Sequence, residues 1–106
     1  MASQNVKFSN ELTDAQAERL AILLEELGEA QQAIGKILRH GYESYNPHSD
    51  DDEGQNRRDL VKELGDIRCA VRMMFRAGDV DEFMIERRSD EKEEKIKPYL
   101  HHQERV

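Results

Sequence analysis

The sequence contains little that could hold a small protein together by cross-links or by a large aromatic core. It has one cysteine, Cys69, no tryptophan and an aromatic content of only 6%. A single cysteine excludes a disulfide framework within the chain and a zinc site built from cysteines. No segment has the apolar length of a membrane-spanning helix, and the first residues lack the apolar run of a signal peptide. We therefore expect a cytoplasmic protein that does not interact with membranes.

Positive charge is also in short supply. The chain carries 23 acidic and 16 basic residues, which gives a net charge of −7. Duplex nucleic acid needs a basic surface, so this balance argues against nucleic-acid binding. It does not argue against binding of mononucleotides, because bound metal ions can reverse the sign of the local field.

The spacing of apolar residues predicts a single all-α domain that covers the whole 106-residue chain. Thr13 and Gln16 form a capping box that should start the first helix near Asp14. This helix is expected to run to about His40, with Gly41 as a left-handed C-cap.

Two further helices are expected downstream. Asn56 should cap the second helix, which runs to about Arg76. Asp79 with Glu82 should open the third helix, and Pro98 should end or kink it.

Three segments are expected to lie outside these helices. Residues 1–10 read as a loose N-terminal arm, although Val6 and Phe8 could pack on the bundle. Residues 42–55 are rich in Tyr, Asn, Pro, Ser, Asp and Gly, which predicts a loop. Residues 98–106 form a short tail.

Two pairs of acidic residues stand out on the first two helices. Glu26 and Glu29 are three residues apart, as are Glu63 and Asp66, so each pair shares one helix face. On helical wheels at about 100° per residue, Glu26, Glu63 and Asp66 fall inside apolar arcs and Glu29 lies at the edge of one. Acidic residues are almost never buried unless they are paired or bound to a metal.

Oxygen ligands of this kind suit a hard divalent cation such as Mg²⁺, for which Mn²⁺ could substitute. Two other interpretations stay open. The four residues could be solvated carboxylates on charged helices, or they could form a buried salt-bridge network with a lysine or arginine. Lys62 is the only cation beside the second pair.

The pattern Glu25-Glu26-x-x-Glu29 followed by Glu63-x-x-Asp66 resembles the signature of the MazG-like, all-α nucleoside triphosphate pyrophosphohydrolases. That superfamily also contains the dimeric dUTPases, the dCTP pyrophosphatases and the phosphoribosyl-ATP pyrophosphohydrolases. The resemblance covers roughly residues 20–75. The stretch between the two motif halves is somewhat long for the family, and an inserted loop around residues 49–55 would account for it.

The resemblance implies a reaction in which a nucleoside triphosphate and water give the monophosphate and pyrophosphate. It also implies that Glu26, Glu29, Glu63 and Asp66 bind Mg²⁺. Glu25 is our hypothesis for an outer-shell residue or general base, although a plain solvent-facing role is equally open.

Substrate contacts are expected from two further places. His40, Tyr42 and Tyr45 follow the first helix, where aromatic rings could stack on a base and His could hydrogen-bond to it. The tyrosines could equally cover the end of the bundle. Lys92 and Lys95 belong to a tail that is similar to the C-terminal pattern of short MazG-like members. Other cations available to grip phosphates are Lys36, Arg39, Arg57, Arg58 and Lys62.

The apolar arcs on both helices are wide, about 200° or more, which exceeds what one packing partner needs. We therefore expect a MazG-like helical bundle completed by oligomerisation, as a homodimer or homotetramer. The leading interpretation is a Mg²⁺-dependent enzyme that clears non-standard nucleoside triphosphates or controls a nucleotide pool. The alternative is a non-catalytic helical adaptor that keeps the MazG-like bundle.

Overall fold

A computed structural model of the protein describes residues 9–104, and this part of the chain is helical. The elements are α1 (Asp14–His40), α2 (Gln55–Arg76), α3 (Glu82–Ile96) and a 3-10 turn at Lys97–Tyr99. Residues 9–104 contain no strand, so the all-α class expected from the sequence is confirmed.

Two expectations from the sequence concern the N-terminal arm and membrane-spanning helices. Residues 1–8, with Val6 and Phe8 of the expected arm, lie outside the described residues. Among residues 9–104, the structure has no helix with the length and apolar content needed to span a membrane.

The chain divides between Met73 and Met74 into two compact units. The first unit holds α1, the loop that follows it and most of α2. The second unit holds the end of α2, all of α3 and the 3-10 turn. The four carboxylates singled out in the sequence, and the loop after α1, therefore belong to the first unit.

α1 begins at the residue expected from the sequence. The Thr13 hydroxyl accepts from the backbone N–H of Gln16 at 3.1 Å, and the Gln16 side-chain oxygen accepts from the backbone N–H of Thr13 at 2.9 Å. At the other end, the N–H of Gly41 donates to the Ile37 carbonyl at 2.6 Å. Gly41 is the C-cap, as expected, and its φ of +89° is one that glycine adopts readily, but its ψ of 164° is extended and not that of the left-handed helical conformation. Its extended ψ directs the chain straight into the segment that contacts the start of α2.

α2 begins at Gln55, and the expectation that Asn56 caps it is wrong. The backbone N–H of Asn56 donates to the Ser44 carbonyl at 3.3 Å, and that of the next residue donates to the Tyr42 carbonyl at 3.0 Å. These loop carbonyls satisfy N–H groups that a side-chain cap would otherwise take. Asn56 is instead 5% exposed, and its Nδ2 donates to the Gly41 carbonyl at 3.2 Å.

α3 begins later than expected and ends as expected. Asp81, not Asp79, is its N-cap, with Oδ1 accepting from the Met84 N–H at 3.0 Å. The N–H of Asp79 donates to the Met74 carbonyl at 2.9 Å, so Asp79 still belongs to the turn that closes α2. At the far end, Pro98 sits in the 3-10 turn that terminates α3.

Small residues dominate what is buried. The buried apolar residues among those described are Ala30, Ala33, Ala70 and Met74. Large apolar side chains of α1 stay in contact with solvent, with Leu24 72% and Leu38 82% exposed. The apolar arcs expected from the sequence are therefore only partly covered within one chain.

Candidate metal centre

Four carboxylate side chains from α1 and α2 come together in the first unit. Glu26 and Glu29 lie on α1, and Glu63 and Asp66 lie on α2. One oxygen from each residue lies within 4.8 Å of the corresponding oxygens of the other three. The three-residue spacing places the two members of each pair on one face of their helix. The structure thus brings together all four residues that the sequence indicated as metal ligands.

Two oxygen atoms of this carboxylate cluster are buried and unpartnered. Glu26 Oε2 and Glu63 Oε2 have no hydrogen-bond partner among the described residues. The Glu63 side chain is only 12% exposed. A buried carboxylate oxygen that accepts no hydrogen bond carries a desolvation cost that is not repaid. These two residues are therefore not ordinary solvated glutamates.

Lys62 compensates part of the negative charge. Its Nζ lies 3.0 Å from Asp66 Oδ2 and 3.4 Å from Glu63 Oε1. The hydrogen bond to Asp66, and then the negative charges of Asp66 and Glu63, raise the pKa of Lys62 above its ordinary value. The lysine side chain is 65% exposed, so solvent screens this attraction. Lys62 does not hydrogen-bond to Glu26 Oε2 or Glu63 Oε2, which have no partner within the described part of the chain.

The neighbouring carboxylates and burial affect the protonation of Glu26. Burial raises the pKa of the Glu26 carboxyl above its ordinary value. The negative charges of Glu29, Asp66, Glu63 and Glu25 raise it further, in that order. A cation bound among the four carboxylates would oppose this rise, because it favours the charged form of Glu26.

The donor set decides which kind of cation fits. All four ligand atoms are carboxylate oxygens, and the cluster contains neither histidine nor cysteine. Oxygen donors of this type are preferred by hard divalent cations, whereas softer metals favour nitrogen and sulfur. The two buried, unpartnered oxygens are what a bound cation would satisfy. The residues present therefore fit a hard divalent cation.

Comparisons with known proteins give no match. No family model, no curated protein and no solved structure matches the chain significantly. The resemblance of the two acidic motifs to those of the MazG-like enzymes therefore stays a prediction. The metal centre is inferred from the four carboxylates and their two buried oxygens.

A cavity of about 420 Å³ opens beside the carboxylate cluster. Glu29 and Glu63 line it on the acidic side, and Lys36 and Lys62 contribute two cations. Asp59 adds a third carboxylate, and Gln32 and Ala33 complete the lining. We call this space the metal-side cavity. It offers both oxygen ligands for a cation and ammonium groups for an anion within one volume.

A second and larger cavity, of about 620 Å³, lies where α1 ends and the loop begins. Two cations and two imidazoles line it, namely Lys36, Arg39, His40 and His48. Its other lining residues are Ser44, Tyr45, Asn46, Pro47 and Asn56. We call this space the loop cavity. Lys36 lines both cavities, so they adjoin at this residue.

The three residues after α1 that we expected to contact the substrate lie in different surroundings. His40 and Tyr45 line the loop cavity. Tyr42 lines neither of the two cavities. Its ring instead packs against the guanidinium of Arg57, which lies 4.4 Å from the ring centroid. Arg57 Nε in turn donates to Glu43 Oε1 at 2.8 Å, so Tyr42 belongs to a contact that holds the loop against α2.

The other expected site residues are exposed. Glu25 lies on α1 next to the carboxylate cluster, since its charge contributes to the raised pKa of Glu26. Lys92 and Lys95 lie on the exposed surface of α3 in the second unit. The roles suggested for these three residues stay predictions.

Sequence reasoning underrated two cations and missed one polar residue. Lys36 and Arg39 were only two among several cations available to bind phosphate. The spacing held a signal for Lys36, because it follows Glu29 by seven residues, or about two helical turns. Asn56 offered no such signal, since its position in the loop cavity depends on how the loop returns to α2.

Proposed function

We propose that the protein hydrolyses a nucleoside triphosphate to the monophosphate and pyrophosphate in a Mg²⁺-dependent reaction. One observation carries the proposal. Four carboxylates converge, and two of their oxygens are buried without a hydrogen-bond partner among residues 9–104. An acidic cluster on a solvated surface would not need these two oxygens to be buried.

Glu26, Glu29, Glu63 and Asp66 would hold the divalent cation. When bound, the cation supplies positive charge that offsets the negative charge of the phosphates. Its presence also lowers the cost of keeping Glu26 ionised, because attraction to the cation opposes the repulsion from the neighbouring carboxylates. Mn²⁺ has similar ligand preferences and is expected to substitute for Mg²⁺.

The chain's own residues supply the remaining chemistry. A triphosphate entering the metal-side cavity meets the ammonium groups of Lys36 and Lys62 beside the carboxylates. These cations orient the phosphate chain and reduce its repulsion from Glu29 and Glu63. Glu25 is exposed at the border of the carboxylate cluster, where it could accept a proton from the attacking water.

The biological role that fits this reaction is the clearance of non-standard nucleoside triphosphates or the control of a nucleotide pool. The exposed apolar residues of α1 support self-association into a homodimer or homotetramer. The same surface is what a non-catalytic helical adaptor would use to bind another protein. Turnover separates these two functions, because an adaptor would release no product from any nucleotide.

Product analysis tests the proposal directly. Ribo- and deoxyribonucleoside triphosphates are incubated with the protein in Mg²⁺ and, separately, in chelator. We expect monophosphate and pyrophosphate only when the metal is present. Release of orthophosphate instead would show that a different bond is cleaved.

Glu63→Gln is the decisive variant for this reaction. It keeps the shape of the side chain but removes one charge from the carboxylate cluster, so we expect turnover to fall at least about 100-fold, the loss that typically follows removal of a directly acting group. Glu18→Gln is the matched control, because Glu18 is an exposed residue of α1 outside the cluster. Full activity of Glu63→Gln, with helicity unchanged by circular dichroism, would contradict the assignment.

A further inference from the structure

The loop cavity has an unusual charge for this chain. The protein as a whole has a net charge of −7, yet among residues 9–104 no carboxylate lines this volume of about 620 Å³. Lys36 and Arg39 lie on its α1 side, and the imidazoles of His40 and His48 add two further hydrogen-bonding groups. The lining therefore favours a ligand rich in negative charge and in hydrogen-bond acceptors.

No ion pair among the described residues neutralises the two cations of the loop cavity. Among the described residues, neither Lys36 nor Arg39 takes part in an ion pair, whereas Arg57 pairs with Glu43 and Lys62 with Asp66. Arg39 lies in the last turn of α1, where the partial negative charge of the helix end favours a cation. That same partial charge repels an anion, so any anion in the loop cavity must be held by side chains.

The loop cavity and the metal-side cavity adjoin at Lys36. One ligand could therefore have part of its length beside Glu29 and Glu63 and its other part beside Arg39. A nucleoside triphosphate fits this division by charge. Its scissile phosphate needs the divalent cation, and the two phosphates beyond it need positively charged partners.

We propose, building on the pyrophosphohydrolase function, that the loop cavity binds the pyrophosphate part of the substrate, with Lys36 and Arg39 contacting its phosphate oxygens. In the reaction, a water oxygen bonds to the α-phosphorus and the bond from that phosphorus to the bridging oxygen breaks. The electron pair leaves on the bridging oxygen of pyrophosphate. The proton released by water passes to Glu25 or to solvent. Lys36 and Arg39 stabilise the charge that accumulates on the leaving group.

Binding of inorganic pyrophosphate to the full chain tests the proposal without any turnover. Titration calorimetry in chelator removes the contribution of bound metal. Arg39 lines the loop cavity but not the metal-side cavity, so the Arg39 variant separates the two cavities. We expect saturable binding to the unaltered protein, weakened about tenfold or more in both Lys36→Gln and Arg39→Gln, as for loss of one charge-assisted hydrogen bond. Arg68→Gln removes the same charge from an exposed position of α2 outside both cavities, so its affinity should be unchanged.

Three results would overturn the assignment. The first is that pyrophosphate does not bind to the unaltered protein, and the second is that all four proteins bind it equally. The third is that Lys36→Gln and Arg39→Gln keep full affinity for pyrophosphate but lose affinity for an uncharged nucleoside. The last would place the base, not pyrophosphate, in the loop cavity. Circular dichroism of each variant excludes unfolding as the cause of lost binding.

Failure of this assignment and failure of the proposed function give different results. If pyrophosphate binds through Lys36 and Arg39 but no triphosphate is hydrolysed, the loop cavity is an anion site and the enzymatic function is wrong. If triphosphates are hydrolysed and KM is unchanged in Lys36→Gln and Arg39→Gln, the enzymatic function stands and the pyrophosphate lies elsewhere.

Discussion

At the scale of single residues, the raised pKa of Glu26 links the stability of the protein to pH. Burial and four neighbouring carboxylates raise its pKa above the ordinary value of 4.5. The folded chain therefore binds a proton at this residue more readily than the unfolded chain. The contribution of Glu26 to stability is fully present below pH 4.5 and is lost as the pH rises through the raised pKa.

Glu26→Gln should consequently stabilise the metal-free protein at neutral pH, because it removes a charge that the folded state disfavours. The advantage over the unaltered chain should vanish below pH 4.5, where Glu26 is protonated in both states. Thermal unfolding in chelator, measured across this pH range, checks the sign. Glu18→Gln, on the exposed face of α1, should show no comparable gain.

Added metal should reverse the order of the two proteins. A ligand present at about 100 times its dissociation constant stabilises a folded protein by about 2.7 kcal/mol. We expect Mg²⁺ to raise the melting temperature of the unaltered chain and to have little effect on Glu26→Gln. Equal Mg²⁺ shifts for both proteins would mean that the carboxylate cluster is not where the ion binds.

At the scale of elements, the sequence predicts the start of α1 correctly but not the starts of α2 and α3. Thr13 and Gln16 satisfy each other within four residues, so their pattern alone indicates the first turn of α1. α2 starts on carbonyls of the loop, and Asp79 is held by the carbonyl of Met74. Those contacts depend on the path of the backbone, which residue spacing does not encode.

The parts of the candidate site also differ in how far the sequence predicts them. The four carboxylates could be predicted because two local spacings and two apolar arcs suffice to place them. The loop cavity could be predicted only in part. His40 and Tyr45 were expected at a ligand, but Asn56 reaches the cavity only because the loop folds back onto α2. Tyr42 has the same residue type as Tyr45 and lies three positions away, yet it packs against Arg57 instead.

Asn56 joins the two elements that shape the loop cavity, and its replacement tests that role. Asn56→Asp keeps the size of the side chain but removes the amide group that donates to the Gly41 carbonyl. We expect a loss of about 1–3 kcal/mol in the free energy of unfolding, measured by urea denaturation, because the buried side chain at position 56 loses its hydrogen bond to the Gly41 carbonyl.

Asn46→Asp is the matched control for Asn56→Asp. Asn46 also lines the loop cavity, but its Oδ1 accepts from the backbone N–H of His48, and an aspartate can still accept this bond. Its stability should therefore change by less than about 0.5 kcal/mol. An equal loss in both variants would mean that added negative charge in the cavity, not the bond to Gly41, determines stability here.

At the scale of the whole molecule, the exposed apolar side chains are the feature that one chain does not explain. Leu24 and Leu38 on α1 are 72% and 82% exposed, and Leu64 on α2 is 52% exposed. Only small side chains and Met74 are buried among the described apolar residues. Contact between copies of the chain would remove such leucines from water at a gain of about 25 cal/mol per Å².

Self-association makes a mass prediction that light scattering can check. The chain should elute as a multiple of 12.4 kDa, and Leu24→Asp should shift it toward a single 12.4 kDa species. The charged side chain would be buried without a partner in an interface but would be harmless on the surface of a monomer. Gln31→Asp adds the same charge at an exposed position of α1 that holds no apolar side chain, and it should leave the mass unchanged. A 12.4 kDa species for the unaltered protein at micromolar concentration would contradict self-association, and the exposed leucines would then favour the adaptor function if turnover is also absent.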